Sequence, residues 1–487
     1  MKKKIAQIRE YAFHSNFSFW LLLILLLSLF SRGFPVVSKF YIITPILLLF
    51  FTVVGFEFRN DSKHFKIFIF FIFLFTIWSI VTAFWSEFPL FTIKRGIYFF
   101  IVSVGSFIIG YKLLGNNLRF LYYSFLILNV AIITVTLISL VTNLPETAWT
   151  GGHGLGFMGF TNHQNKLGQY IFLSVAPLIL FIRDKNSKNE DAKNKVLFGF
   201  SIIPLFTKER IKVSFTNENN PKSTLISKYF IFFLLGLNLI LIALSVSRAA
   251  ILALFLTWSV YFLLKFSLLK TLVFSLVFGG IIFSTVFITK KYTNNHKVTI
   301  IKNENYLGQR REKTIYYSWK AALNGGLTGL GYGISDKRFK PELLGYYDKT
   351  SEGKIFRREK TISVLALIEE VGIIGLSLFL VIILYPIKLI WNNISSINKK
   401  NMPARRFFWR VIPDSNITRH SEFISESKKS HVIPVRLKPE SIIIFSFAFL
   451  ISLSIYAQIE SWWIGVGSAV MPVYFIFTGA VMKELKY

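Results

Sequence analysis

Long apolar runs recur from one end of this chain to the other, separated by short polar segments that are mostly basic. Most of the runs come near the ~20 residues that an α-helix needs to cross a bilayer. About twelve can be drawn, at residues 17–30, 36–56, 65–84, 97–114, 120–141, 167–182, 229–246, 249–266, 268–288, 362–390, 441–457 and 463–482. The run at 362–390 is too long for one straight crossing. It carries Glu369 and Glu370, so its first turns are expected to stand above the membrane surface. The pattern predicts an all-α polytopic membrane protein, one domain over residues 1–487, with about twelve transmembrane helices.

Composition agrees with the pattern. Of 487 residues 53% are apolar, and phenylalanine alone fills 53 positions. A soluble chain of this length would divide into several domains joined by polar linkers. There is no cysteine, which excludes disulfides, thiolate catalysis and thiolate metal sites. The first run follows MKKKIAQIRE without a small-residue cleavage site, so it is expected to be an uncleaved first helix.

The net charge of +31 matters through its placement. The charge lies in loops between apolar runs, and no basic, aromatic-interleaved soluble domain exists, so nucleic acid is not the expected partner. With the N-terminus inside, Lys2, Lys3, Lys4 and Arg9, then Arg59 with Lys63, Lys112 with Arg119, and Lys265 with Lys270 all fall on the cytoplasmic side. The basic segments 183–228 and 391–440 fall there too. The positive-inside bias therefore predicts both termini in the cytoplasm. Three segments then face outward together: 143–166, the turn 245–248, and the long loop 290–361.

The two long cytoplasmic segments read as insertions. Residues 183–228 mix charged and Asn-rich stretches with one apolar patch, VLFGFSIIPLF. Within 391–440 the stretch VIPDSNITRHSEFISESKKSHVIPV resembles a translated palindromic repeat and is expected to be unstructured and far from any site.

Candidate chemistry clusters on the outward side. In ALSVSRAAILALF, Arg248 stands among apolar residues, and a guanidinium cannot neutralise to escape the bilayer. Either it snorkels to the headgroups from a turn, or it lines a polar cavity and meets an anion by bidentate hydrogen bonds. In WSEFPLFTIKRG, Lys94 and Arg95 head the next span as interfacial anchors or as phosphate ligands. In GFMGFTNHQNKLGQYIFL, Asn162, His163, Gln164, Asn165 and Lys166 crowd polar groups where a helix enters the membrane, a natural anion site. The stretch GQRREKTIYYSWKAALNGGLTGLGYGIS begins basic, continues as an amphipathic helix through Tyr316, Trp319 and Leu323, and ends in glycine-rich turns. The hexapeptide RREKTI occurs twice, starting at Arg310 and at Arg357. No HExxH, no DxD pair and no Ser/His/Asp set is present. No metal and no cofactor is therefore expected.

Taken in order, WSEFPLFTIKR, GFTNHQNKLGQ, SVSRAA, WKAALNGGLTGLGYG and LALIEEVGIIGL resemble the O-antigen ligase and O-antigen polymerase superfamily, over roughly residues 80–385. The resemblance implies a membrane-embedded, GT-C-like glycosyltransferase in a bacterial inner membrane, with a long late periplasmic loop. A ligase of this kind moves a glycan from undecaprenyl pyrophosphate to lipid A–core at the periplasmic face, with inversion and without metal. A polymerase joins repeat units on the same carrier, and a lipid-linked glycan transporter is the alternative from another class. Family arginines hold the pyrophosphate and stabilise its departing charge. By resemblance Arg248 is the arginine of the SR motif, and Arg311 or Arg310 the arginine of the late loop. Lys94, Arg95, His163, Asn165 and Lys166 would bind substrate. The family's HN histidine, the base for the acceptor hydroxyl, falls on Thr361 here, which leaves Glu352 or Glu359 as the substitute base.

Overall fold

The computed structural model describes residues 15–32, 34–55, 62–114, 118–142, 157–161, 163–181, 221–245, 247–266, 269–280, 284, 304–338, 345–350, 352–358, 362–401, 439–460 and 468–485. The helices are α1 (Ser15–Ser31), α2 (Ile43–Gly55, entered through a 3-10 turn Pro35–Ile42), α3 (Lys63–Val81), α4 (Pro89–Ile108, extended by a π-helical stretch Ile109–Leu114) and α5 (Leu118–Thr142). Then come α6 (Gln164–Val175, extended by a 3-10 stretch Ala176–Phe181), α7 (Pro221–Leu244), α8 (Arg248–Lys265) and α9 (Leu269–Gly280). The late outward segment holds α10 (Glu304–Gly325) and an antiparallel hairpin, β1 (Gly345–Thr350) with β2 (Gly353–Arg358). The chain ends in α11 (Ser363–Asn401), α12 (Pro439–Glu460) and α13 (Val470–Glu484).

Within the described residues, each of the apolar runs contains helical structure. Among the described residues six helices are long and apolar enough to cross a membrane: 37–54, 63–84, 89–112, 123–142, 248–265 and 363–396. Five further apolar helices are shorter. The protein is a mostly helical, multi-pass membrane protein. The architecture is compatible with the all-α membrane expectation, and beside the helices the described residues hold one two-stranded hairpin. Its turn passes through Gly353 at φ +125, a conformation that side chains oppose, and each strand takes its hydrogen bonds from the other.

The packing has the inverted polarity of a bilayer protein. On α3 the buried face is Phe65, Phe68, Ile69, Ile72, Phe75, Thr76 and Ser79, at helical spacing, while Phe70, Phe73 and Ile77 are exposed. Large apolar residues thus occupy both faces, one packed inside and one turned outward toward lipid, while the polar Thr76 and Ser79 turn inward. Deep in the interior Asn129 of α5 and Asn238 of α7 exchange amide hydrogen bonds at 2.9 and 3.0 Å, and Asn129 also donates to Ser174 of α6 at 2.9 Å. This clasp joins three helices with both amides satisfied. Where α4 passes α13, a Cβ on Gly110 would overlap the Ile476 carbonyl and one on Gly479 the Phe107 carbonyl, so the backbones touch directly.

Residues 183–220 and 402–438, which contain most of both expected insertions including the repeat-like stretch, lie outside the described residues.

Candidate functional site

Helix α4 begins earlier than the hydropathy suggests. Pro89 occupies the first turn, where its missing N–H costs nothing, and the helix continues from there through Lys94 and Arg95. These two residues therefore lie in the second turn of a helix rather than at its head. The N-terminus of α4 has no side-chain cap from Phe88. Instead Glu352, at the hairpin turn, accepts hydrogen bonds from the Leu90 and Phe91 backbone N–H groups, one on each carboxylate oxygen, both at 2.9 Å. The carboxylate sits where the free N–H groups and the helix dipole favour negative charge. Beside it Phe88, Ile334 and Ile355 form a small apolar core with Phe91 against it, fastening the hairpin to α4.

Arg95 is 7% exposed, whereas Lys94 beside it points outward. The guanidinium carbon lies 5.3 Å from the centroid of the Tyr332 ring, within cation–π range. Gly333 follows at φ +93, and a Cβ there would come within 2.5 Å of Arg95 Cδ and Nη1. Only glycine lets the loop close on the arginine.

The same loop is held from the other side by α11. Gly333 N–H donates to Glu370 Oε2 and Asp336 N–H to Glu369 Oε1, each at 2.8 Å. Leu330 and Gly331 N–H donate to the backbone carbonyls of Glu369 and Glu370, and Ile373 and Ile374 N–H to those of Gly326 and Leu327. This exchange is possible because α11 breaks at Gly372, at φ +73, which frees backbone groups on both sides of the break. Two tryptophans lock the seam: Trp78 Nε1 donates to Val371 O at 2.7 Å and Trp85 Nε1 to Gly329 O at 2.9 Å. Tyr332 N–H donates to Thr82 Oγ1 at 3.1 Å.

Both Glu369 and Glu370 are buried, so their side chains need these donors. Burial pushes the Tyr332 hydroxyl above its ordinary range; Glu370 adds to this and Arg95 opposes it. Tyr332 is therefore a neutral phenol beside Arg95. Burial would raise Asp336 as well, but hydrogen bonds from Arg338 and Asn324 outweigh it and hold the carboxyl below its usual value.

A second group of cations gathers around α6. His163 precedes that helix, and its ring Nδ1 accepts the Asn165 backbone N–H at 3.1 Å, so the imidazole acts as a helix cap. The segment before it is tied to the turn that leads into Arg248: Phe157 N–H donates to Leu244 O at 2.9 Å. A Cβ on Gly168 would overlap the Ser247 side chain, so α6 packs closely on the 245–248 turn at this glycine. Arg248 is the first residue of α8 and its side chain is exposed. Lys166, half-buried in the first turn of α6, is pushed below the usual lysine value by burial and then by the charge of Arg32.

Arg32 escaped sequence reading, although its position just after the first apolar run was a signal for it. Its guanidinium carbon lies 5.0 Å from the Tyr41 ring, and the Tyr41 hydroxyl hydrogen-bonds that of Tyr98 on α4. Tyr98 is one turn along α4 from Arg95 and Lys94. Arg32 thus reaches the Arg95 helix through the Tyr41–Tyr98 pair, and its charge is felt at Lys166. Tyr332, Glu369 and Glu370 also went unassigned. The available signal was two adjacent acids at the border of an apolar run, too costly to bury without partners.

Arg310 and Arg311 lie within α10, but their side chains are outside the described residues, as are Glu359 and Thr361. Compared with known proteins, the chain matches no family model, no curated protein and no solved structure.

Proposed function

We propose that this protein is an O-antigen ligase-like glycosyltransferase of a bacterial inner membrane. It would be a twelve-span, GT-C-like protein with both termini cytoplasmic and its site on the periplasmic face. The donor would be a glycan on undecaprenyl pyrophosphate and the acceptor lipid A–core.

One observation carries this reading. Motifs far apart in sequence meet in space: the helix bearing Lys94 and Arg95 packs against the Gly331–Gly333 turn and Glu370, and the segment bearing His163 and Lys166 packs against the turn bearing Arg248. Arg32 stands over Tyr41, which hydrogen-bonds Tyr98 of the Arg95 helix, and its charge lowers the Lys166 pKa. Fixed guanidinium and ammonium groups are what a departing pyrophosphate requires, since its charge develops as the bond to the anomeric carbon breaks. The acceptor hydroxyl attacks that carbon from the opposite face and loses its proton to a base. Both oxygens of Glu352 are engaged at α4, which leaves Glu359 for that role in this scheme.

Deletion of the gene tests the reading through the lipopolysaccharide ladder. Loss of every long-chain band, with lipid-linked glycan accumulating on the periplasmic side, is the expected result. Bands shortened to one repeat would make the protein a polymerase. Glycan trapped on the cytoplasmic face would make it a transporter.

A further inference from the structure

Helix α10 presents its apolar face the wrong way for a helix packed only on protein. Its buried side consists of small residues: Thr314, Ser318, Ala321, Ala322 and Gly325. That side lies close against α11, where a Cβ on Gly325 would overlap the Ile368 carbonyl. Ile315, Tyr316, Trp319 and Leu323 point away from the protein, and with Leu327 just beyond the helix they are between 39% and 65% exposed. At the helical repeat these four side chains fall within an arc of roughly 100°, the width of a core-facing stripe.

The helix cannot itself cross a membrane, because Glu304, Arg310, Arg311, Glu312, Lys313 and Lys320 all lie within it. It has the make-up of a helix that lies in the interface: one apolar face with aromatics, and basic residues at its margin. Lys313 and Lys320 are exposed beside the stripe, and Lys320 Nζ stands 4.5 Å from the centroid of the Tyr316 ring. The stripe also continues into a surface that faces lipid. The Leu327 carbonyl accepts the Ile374 N–H at 3.3 Å, and Ile373 and Ile374 are exposed on α11, one of the helices long and apolar enough to cross a membrane.

We propose that α10 lies in the outer leaflet of the bilayer, with the Ile315, Tyr316, Trp319 and Leu323 face among the acyl chains and Lys313 and Lys320 at the headgroup phosphates. The glycine-rich turn that leaves α10 carries Tyr332 and Gly333 to Arg95, so this anchoring holds the Arg95 cluster at headgroup depth. The inference does not depend on which reaction the cluster serves.

The chain contains no cysteine, so single-cysteine variants of the full-length protein need no background substitutions. Trp319→Cys and Leu323→Cys test the stripe, Lys313→Cys and Asn324→Cys test the polar side, and Leu384→Cys on the exposed face of α11 gives the lipid reference. Each is nitroxide-labelled and reconstituted in phosphatidylethanolamine–phosphatidylglycerol vesicles, after a check that it elutes like the parent protein. Collision with oxygen is then compared with collision with a water-soluble nickel chelate. The expected oxygen-to-nickel ratio at Trp319 and Leu323 is several-fold above that at Lys313 and Asn324, and close to that at Leu384. Nickel access at the stripe equal to that at the polar positions would put the stripe in water and overturn the proposal. Shielding of the stripe from both reagents would mean that protein covers it, and would overturn the proposal as well.

Discussion

The Glu370 carboxylate accepts the Gly333 backbone N–H at 2.8 Å, and on its other side Gly333 lies against the Arg95 guanidinium. One residue without a side chain therefore fixes the distance between a buried acid on α11 and a buried base on α4. A Cβ at Gly333 must displace Arg95, and φ +93 adds strain to any substitution. Gly333→Ala is expected to lower glycan transfer by about a hundredfold, the scale of a misplacement of around 1 Å, with the protein still inserted and monodisperse. In vivo complementation of the lipopolysaccharide ladder, alongside size-exclusion in detergent, measures both.

Glu352 serves α4 as a distant cap, and the two roles open to it give different results. Glu352→Ala is expected to cost about 1 kcal/mol of stability, in the range of other helix caps, and to weaken transfer only modestly. Loss of a general base would instead cost about 10²–10⁴ in rate. A melting curve in detergent paired with a transfer assay separates the two, and a rate collapse without destabilisation would return Glu352 to the role of base.

The Asn129–Asn238 clasp has no water to fall back on. Replacing only Asn129 with Leu leaves the Asn238 amide buried with fewer partners, at an expected cost of about 1–2 kcal/mol. Converting both to Leu should recover part of that loss, because no amide is then stranded. Thermal unfolding of the two variants in the same detergent tests the order: the single substitution should melt below the double.

Lys166 gives a pH dependence with a definite sign. Burial first, and the Arg32 charge second, hold it below the ordinary 10.5. A cation with a depressed folded pKa is charged below that pKa, so its attraction for an anion is present at lower pH and fades as pH rises through the folded value. Folding stability runs the other way, rising with pH across the same window, because the unfolded chain binds the extra proton. Binding of a pyrophosphate-bearing lipid should weaken on the alkaline side earlier than a solvated lysine would dictate. Arg32→Gln removes one cause of the depression and should move that limb to higher pH, while Lys166→Met should abolish it.

Much of the architecture was legible in the sequence because lipid imposes one dominant rule on it. Apolar runs long enough to span became helices, and the surplus length at 362–390, with Glu369 and Glu370, marked the place where α11 breaks. Basic residues against the positive-inside trend pointed to Lys94 and Arg95. Hydropathy averages over a window, however, and so missed the start of α4, which Pro89 announced more exactly than the apolar count did. It also gave no register for burial, so Lys94 and Arg95 looked equivalent although only Arg95 is enclosed.

The sequence by itself determined a multi-pass helical membrane protein with cations at the ends of its apolar runs, since bilayer crossing and charge placement are properties of single segments. Tertiary structure decided which residues meet, because Arg95 reaches Tyr332 and Gly333, and Arg32 reaches Tyr41, through packing that no local pattern encodes. The hexapeptide RREKTI marks the boundary. Its first copy lies in the helix α10, and its second begins in strand β2, where Arg357 and Arg358 pair with Tyr346 and Gly345. The same Arg-Arg pair takes two conformations because backbone hydrogen bonds must be satisfied by whatever lies near: the next turn of helix in one place, a neighbouring strand in the other.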